Sequence, residues 1–352
     1  MMQVLFIVLR TLMKTRIAVN GFGRIGRNLF RALLEHPNKD QIELVAINEI
    51  AKAEFVQYLL QYDSVQGTLA KRVNLEARDG KQYLLCSDME VLVLQQKDIS
   101  ELPWKALNID LVLECTGIHA KYDTAYKHIT AGAKRVLLSQ PGKDNVDNTI
   151  VNGFNQNSLE SKQQIISNAS CTSNCLVPIL KIIDDYVGIE SGSSTTIHSA
   201  MADQAVNDSY EKEIHLSRSA MQSMIPVPTE LAIGVMKFLP KLAGKFETLA
   251  LRVPTINVSL IDLTLQLSQA TTVESINQHL FEISQSEYEG IVDVTDLPLV
   301  SIDYNHNPHS VTVDSSQTRI AGNKQLKLML WFDNEWGFAN RMLDTTILLK
   351  NI

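Results

Sequence analysis

Arg16-Ile-Ala-Val-Asn20, followed by Gly21-Phe22-Gly23-Arg24-Ile25-Gly26, is the stretch whose reading decides the fold. The opening run is short, apolar and β-type. The glycine turn comes next, and Ile25, Leu29 and Leu33 then recur at helical spacing up to Pro37. A lone G-x-G-x-x-G is a weak signal. Here it follows a strand, opens a helix and precedes a second β run, Glu43 to Asn48, with Glu49 just beyond it, which is the context a dinucleotide site needs. Gly21 permits the tight turn, Gly23 lets the backbone approach a pyrophosphate, and Gly26 lets helix and strand pack closely. The helix N-terminus offers N–H groups and a partial positive charge to phosphates. Glu49 can accept hydrogen bonds from a ribose diol and would repel a 2′-phosphate, so NAD is favoured over NADP as cofactor. The competing reading is a glycine turn in a doubly wound fold that holds no dinucleotide.

Working outward, the runs Asp110 to Cys115 and Arg135 to Ser139 continue the alternation of strands with helical segments, the mark of βαβ units and a parallel sheet. From about residue 170 the texture changes. A helix spans Cys171 to Tyr186, and longer β-type runs follow at Ser193 to His198, Thr248 to Val253, Val258 to Leu267 and Lys327 to Phe332. A helix falls near Thr272 to Ser284 and another over 335–350. The expected fold is therefore α/β: a Rossmann-type doubly wound parallel sheet with a second α+β catalytic domain built on a mostly antiparallel sheet. The boundaries are 14–170 for the NAD-binding domain, joined by the C-terminal helix 335–352, and 171–334 for the catalytic domain. Residues 1–13 (MMQVLFIVLRTLM) lack a basic n-region and a small-residue cleavage site and have Arg10 inside the apolar run, so they read as a non-essential leader.

Composition narrows the function classes. The chain has 352 residues, 45% hydrophobic and 20% charged, which is ordinary globular composition. Its 32 Lys+Arg against 39 Asp+Glu give a net charge of −7, so nucleic-acid binding by phosphate neutralisation is not expected. No apolar run is long enough to span a bilayer, so no membrane partner is expected. The four cysteines, at 86, 115, 171 and 175, are too few for a disulfide scaffold and fit a reducing, cytoplasmic setting.

Ile165 to Ser170 (IISNAS) reads as a strand running into Cys171, which opens a helix. The helix dipole there stabilises a thiolate and can lower the cysteine pKa. His198 ends a later strand, and within hydrogen-bonding reach the two would form a thiolate–imidazolium pair. Taken alone, Cys171 reads more readily as a buried structural cysteine. Cys175, one turn on, packs inward or at most forms an adventitious disulfide, and Cys86 and Cys115 read as core. A catalytic cysteine with an NAD fold suggests one chemistry: thiolate attack on an aldehyde, hydride transfer to nicotinamide, and release of the resulting thioester by water or phosphate.

The stretches NGFGRIGR (Asn20 to Arg27), SNASCTSNC (Ser167 to Cys175), RVPT (Arg252 to Thr255) and DNEWGFANR (Asp333 to Arg341) resemble the glyceraldehyde-3-phosphate dehydrogenase family over residues 15–352. The resemblance implies that Cys171 is the nucleophile and His198 its base. It implies that Arg24 and Ile25 contact NAD, that Glu49 holds the adenine ribose, that Lys97 lies at the adenosine end and that Thr116 and Ser139 line the cofactor cleft. It further implies that Asn334 positions the carboxamide, that Ser170 and Thr172 flank the nucleophile and that Arg252 grips substrate phosphate. A homotetramer is implied, with the segment Met201 to Ser223 close to a neighbouring subunit's cofactor.

The departures refine this. Met201 stands where the glycolytic enzyme has threonine, Thr229-Glu230 replaces Thr-Gly, and His215 and Leu216 stand where an arginine often precedes Arg218; Ser173 for threonine is conservative. Methionine removes a hydroxyl donor, and Glu230 places a carboxylate near the site for inorganic phosphate, which it would repel. Water is then the favoured second nucleophile. HSAMADQ (His198 to Gln204), SMIPVPTEL (Ser223 to Leu231) and CTGIHAKYDTA (Cys115 to Ala125) resemble the branch of the family that oxidises erythrose 4-phosphate to 4-phosphoerythronate with NAD, on a route to pyridoxal phosphate. The substrate expected is a phosphorylated aldehyde. The alternatives are the phosphorylating glycolytic activity and, from a different class, a catalytically silent NAD-binding protein. His306 and His309 read as a loop with no metal, Trp331 and Trp336 as core, and Asp184-Asp185 as solvated.

Overall fold

The computed structural model describes residues 14–211 and 213–352; the leader expected over 1–13 lies outside the described residues. The described chain divides into two compact units. The first runs up to Ile150 and adds Asn155–Ser170 and Ala339–Ile352; the second comprises Val151–Phe154 and Cys171–Phe338.

The first unit is built on a nine-stranded sheet. Its strands are β1 (Thr15–Asn20), β2 (Ile42–Asn48), β3 (Val73–Arg78), β4 (Lys81–Cys86), β5 (Met89–Leu94), β6 (Leu111–Glu114), β7 (Arg135–Leu138), β8 (Asn148–Thr149) and β9 (Ile165–Ser167), in the order β8-β9-β7-β6-β1-β2-β5-β4-β3. From β8 across to β5 all pairs are parallel. The helices α1 (Arg24–Glu35), α2 (Ala53–Gln61) and α3 (Tyr122–Thr130) lie between strands in the chain. Central strands are buried on both faces, with β6 entirely so, as a doubly wound sheet requires. The strand order reverses between β1 and β6, so the glycine turn after β1 falls at the topological switch point where such sheets bind ligands.

One edge differs from a purely parallel sheet: β3, β4 and β5 form an antiparallel meander. Its outer strand alternates polar residues outward, and Asp79-Gly80, with φ of 50° and 73°, makes the left-handed two-residue hairpin turn.

The second unit carries an eight-stranded sheet. Its strands are β10 (Ile189–Ser199), β11 (Ile225–Val227), β12 (Phe246–Val253), β13 (Ser259–Leu267), β14 (Val292–Thr295), β15 (Val311–Asp314), β16 (Arg319–Ala321) and β17 (Gln325–Phe332). The order is β11-β12-β10-β13-β17-β15-β14, with β16 on β17. The sheet is mostly antiparallel; β10 with β12 and β14 with β15 are the parallel pairs. β13 alternates buried and half-buried residues along its whole length, with Ile261, Leu263, Leu265 and Leu267 inside. The strand expected from Val258 begins one residue later, because Val258 holds φ 64°, a left-handed conformation rare for a β-branched residue. Helices α4 (Cys171–Val187), α5 (Leu231–Phe238) and α6 (Val273–Ser284) belong to this unit, and α7 (Trp336–Lys350) starts in it.

Asp184 corrects an expectation. Far from being solvated, its carboxylate is ion-paired with Lys241 and accepts the Ile189 N–H at 3.1 Å, closing the end of α4. Asp185 is exposed and pairs with Lys181 one turn back. Cys115 is half-buried rather than core, since it sits just past the end of β6.

Candidate active site

In the first unit, three glycines serve three different needs. Gly21 has φ +86°, donates its N–H to the Asn48 carbonyl at 2.9 Å, and lies so close to the β6 end that a Cβ would sit 2.7 Å from the Thr116 nitrogen. A Cβ on Gly26 would run into the Gly21 carbonyl oxygen. Gly23 has no heavy atom within 4 Å of where its Cβ would stand, and it is the N-cap of α1 with no side-chain cap. An open space facing an uncapped helix N-terminus is what a pyrophosphate needs. The cradle therefore fits a dinucleotide. Glu49, at the end of β2, accepts the Phe22 N–H at 2.9 Å and the Ala51 N–H at 3.2 Å, which fixes its carboxylate beside the turn.

Beneath the turn lies a buried polar network absent from the sequence reading. Asn20 donates to Glu114 at 2.6 Å, and Asn48 donates to Asn20 at 2.7 Å. Trp104 Nε1 donates to His128 Nδ1 at 2.9 Å, so His128 Nε2 carries the other proton and donates to Glu114 at 2.9 Å. Burial opposes the Glu114 charge, but hydrogen bonds from His128, Thr116 and Asn20 outweigh it and hold the carboxyl below its usual range. The one available signal was a glutamate inside the apolar run DLVLEC. Thr116 gives its hydroxyl proton and its N–H to Glu114, and its oxygen accepts the Ile118 N–H at 3.2 Å. Ser139, at the end of β7, is half-buried and bonds the Cys115 thiol. Arg24 Nη1 holds Asp63 at 2.5 Å, Ile25 is half-buried in the first turn of α1, and Lys97 is exposed beyond β5.

In the second unit, Cys171 opens α4 directly after Ser170, and Ala169 before them is held at φ 56°. This left-handed residue re-aims the chain from β9 into the helix, at a cost of about 1 kcal/mol. Cys171 Sγ lies 3.8 Å from His198 Nε2 and 3.8 Å from Thr172 Oγ1. His198 Nδ1 is 2.8 Å from the Ser199 carbonyl, which only accepts, so Nδ1 carries the proton and Nε2 turns a lone pair toward the sulfur.

Burial works against the expected ion pair. Burial pushes the Cys171 thiol up, against the pull of Thr172, Arg252 and the helix N-terminus. Burial likewise pushes His198 down to about 4, and Arg252 adds to this while the Ser199 carbonyl and Asp203 oppose it. Both directions favour a neutral thiol beside a neutral imidazole.

Strand register brings Arg252 to this pair: on β12 it stands opposite His198 of β10. Its Nη1 lies 3.6 Å from Asp203 and 3.5 Å from Gln204 Oε1. Thr229 and Glu230 are exposed and lead into α5, with Glu230 as its N-cap. That helix packs on α4: a Cβ on Gly234 would lie 3.7 Å from Ser173 Oγ. Met201 is exposed in the turn after β10. Asn334 is buried, and its Oδ1 accepts Ser199 Oγ at 3.1 Å and Ser259 Oγ at 2.9 Å. Neither serine was singled out from the sequence. His306 stacks on Trp336 at 3.5 Å, Trp331 stacks on Tyr304, and Cys175 is buried. Among the described residues no group of His, Cys, Asp or Glu is arranged to hold a metal, and no helix is long and apolar enough to cross a membrane.

Fold and site together define an NAD-dependent oxidoreductase acting on an aldehyde. Residues 15–122 match the glyceraldehyde 3-phosphate dehydrogenase NAD binding domain, and residues 170–334 match the glyceraldehyde 3-phosphate dehydrogenase C-terminal domain. The chain belongs to the glyceraldehyde-3-phosphate dehydrogenase family, and NAD is its cofactor.

Proposed function

We propose that the protein oxidises D-erythrose 4-phosphate to 4-phosphoerythronate, with Cys171 as nucleophile, His198 as general base and water as the final acceptor. The observation that carries the reaction is the 3.8 Å approach of Cys171 Sγ to an imidazole whose other nitrogen is committed to the Ser199 carbonyl. His198 Nε2 takes the thiol proton as sulfur bonds to the aldehyde carbon, and returns it to the oxygen, giving a thiohemiacetal on Cys171. As hydride leaves that carbon, His198 takes the hydroxyl proton and a thioester remains. After giving that proton up to solvent, His198 deprotonates a water molecule that attacks the thioester; as the C–S bond breaks, it returns the proton to sulfur, releasing the acid and restoring the thiol. Bound NAD supplies the hydride acceptor. Gly21, Gly23, Gly26 and the start of α1 would hold its pyrophosphate, Glu49 its ribose, and Arg24, Ile25, Lys97, Thr116 and Ser139 the rest of the cofactor cleft. Ser170 and Thr172 flank the nucleophile, and Arg252 is the grip for substrate phosphate, supported by its place opposite His198.

The finer choice of substrate rests on Met201 and Glu230. Methionine offers no hydroxyl, and a carboxylate repels inorganic phosphate, so hydrolysis outruns phosphorolysis. The corresponding assembly is a cytoplasmic homotetramer with an NAD-binding domain over 14–170 and a catalytic domain over 171–334, serving pyridoxal 5′-phosphate synthesis. The test is NADH formation from erythrose 4-phosphate in phosphate-free buffer. Turnover there supports the proposal. Silence there, with rapid phosphate-dependent oxidation of glyceraldehyde 3-phosphate, rejects it in favour of the glycolytic activity, which the retained Arg252 also suits.

A further inference from the structure

We infer that Ser199 and Ser259 are positioning residues that lock the Asn334 side-chain amide in one orientation, making it a fixed hydrogen-bond donor toward the carboxamide oxygen of NAD. Ser199 Oγ–H and Ser259 Oγ–H both donate to Asn334 Oδ1, at 3.1 and 2.9 Å, and fill its two lone pairs. Ser259 Oγ also accepts the Ser199 backbone N–H at 3.2 Å, and among the described residues Asn334 Oδ1 is the acceptor of its proton. A flipped amide would turn NH₂ onto the two hydroxyl oxygens, strip both hydroxyl protons of their acceptor among the described residues, and leave a carbonyl facing the ligand. The orientation seen leaves Nδ2 as the group that serves a ligand acceptor, and it meets no protein acceptor among the described residues.

The clamp is buried and rigid: Ser199 is 0% exposed, Ser259 1% and Asn334 9%. Val258, directly before Ser259, is held at φ 64°, a strained conformation for a β-branched side chain and one that tends to persist at functional sites. Ser199 also ties the amide to the catalytic pair, since its carbonyl receives the His198 Nδ1 proton. One residue thus sets the tautomer of the base through its backbone and the sense of the amide through its side chain.

The inference rests on the proposed role of Asn334 toward NAD, and the test separates the two. NAD and its thionicotinamide analogue, in which a weaker sulfur acceptor replaces the carboxamide oxygen, are titrated calorimetrically into wild type, Ser199→Thr and the double variant Ser199→Ala/Ser259→Ala. The expected result is that the double variant binds NAD about tenfold more weakly, the scale of one lost buried hydrogen bond, while its affinity for the thio analogue changes less than twofold. Ser199→Thr, which keeps the hydroxyl, retains wild-type affinity. Equal loss for both dinucleotides, no loss for either, or failure of threonine to rescue would overturn the clamp while leaving the cofactor role standing. Wild-type protein that does not discriminate NAD from the thio analogue would remove the role of Asn334, and the clamp with it.

Discussion

Cys171 receives its proton acceptor from a strand, not from its own helix. The sulfur sits at the first residue of α4, and the imidazole arrives on the penultimate residue of β10, where Ser199 fixes its tautomer. Cys171→Ser should abolish aldehyde oxidation and leave the NAD dissociation constant within about twofold, because an alcohol is a far weaker nucleophile near neutral pH. Turnover above a hundredth of wild type would contradict the role. His198→Asn should slow turnover by about 10²–10⁴-fold. The pH dependence follows from the directions at the pair. A thiol pushed upward by burial is mostly protonated at neutral pH, so iodoacetamide labelling of the ligand-free protein should accelerate as pH rises into the alkaline range. A labelling rate already maximal at pH 6 would show that an ion pair exists at rest.

At the scale of elements, the glycine turn separates two effects that family motifs merge. Gly26→Ala drives a methyl into the Gly21 carbonyl and should cost about 1–3 kcal/mol of stability. Gly23→Ala meets no atom within 4 Å and loses only a better N-cap residue, so it should stay within about 1 kcal/mol of wild-type stability yet bind NAD markedly more weakly, since the methyl stands where the pyrophosphate approaches. Equal NAD affinity for wild type and Gly23→Ala would remove the pyrophosphate from that side of the turn. These elements were legible in the sequence because their cause is local: RIAVN, the three glycines and the 3.6-residue stripe occupy one continuous stretch. Cys171 at a helix start was legible for the same reason. What was hidden depends on pairing across long separations. Ser199 and Ser259 look like ordinary strand serines until β10 and β13 align and bury them. Asp184 looked solvated because Lys241 lies far along the chain. The antiparallel meander β3 to β5 was missed because an edge with a half-exposed outer strand shows little continuous apolar signal.

Over the whole molecule, the buried titratable groups divide between the two units in a way that sets the order of acid sensitivity. In the second unit, His198 is pushed from its ordinary 6.5 down to about 4. Its folded form binds fewer protons than its unfolded form between those values, so its contribution is fully present above about pH 6.5 and is lost as pH falls toward 4. In the first unit, the depressed carboxyls are Glu114, held by His128, Asp344, held by Arg341 and His36, and Asp63, held by Arg24. Burial opposes each charge and the partners outweigh it, so their contributions persist until pH falls below the ordinary carboxylate range. Acidification should therefore weaken the second unit first. Between pH 7 and pH 5 the His198 linkage amounts to about 2 kcal/mol, from the span between 6.5 and about 4. His198→Gln, neutral at both values, lacks it. Urea unfolding followed through Trp331 and Trp336 should show the wild-type midpoint falling more steeply between those pH values than that of His198→Gln. Parallel falls in the two proteins would mean that His198 titrates near its ordinary value and that the imidazole beside Cys171 is not desolvated as the geometry requires.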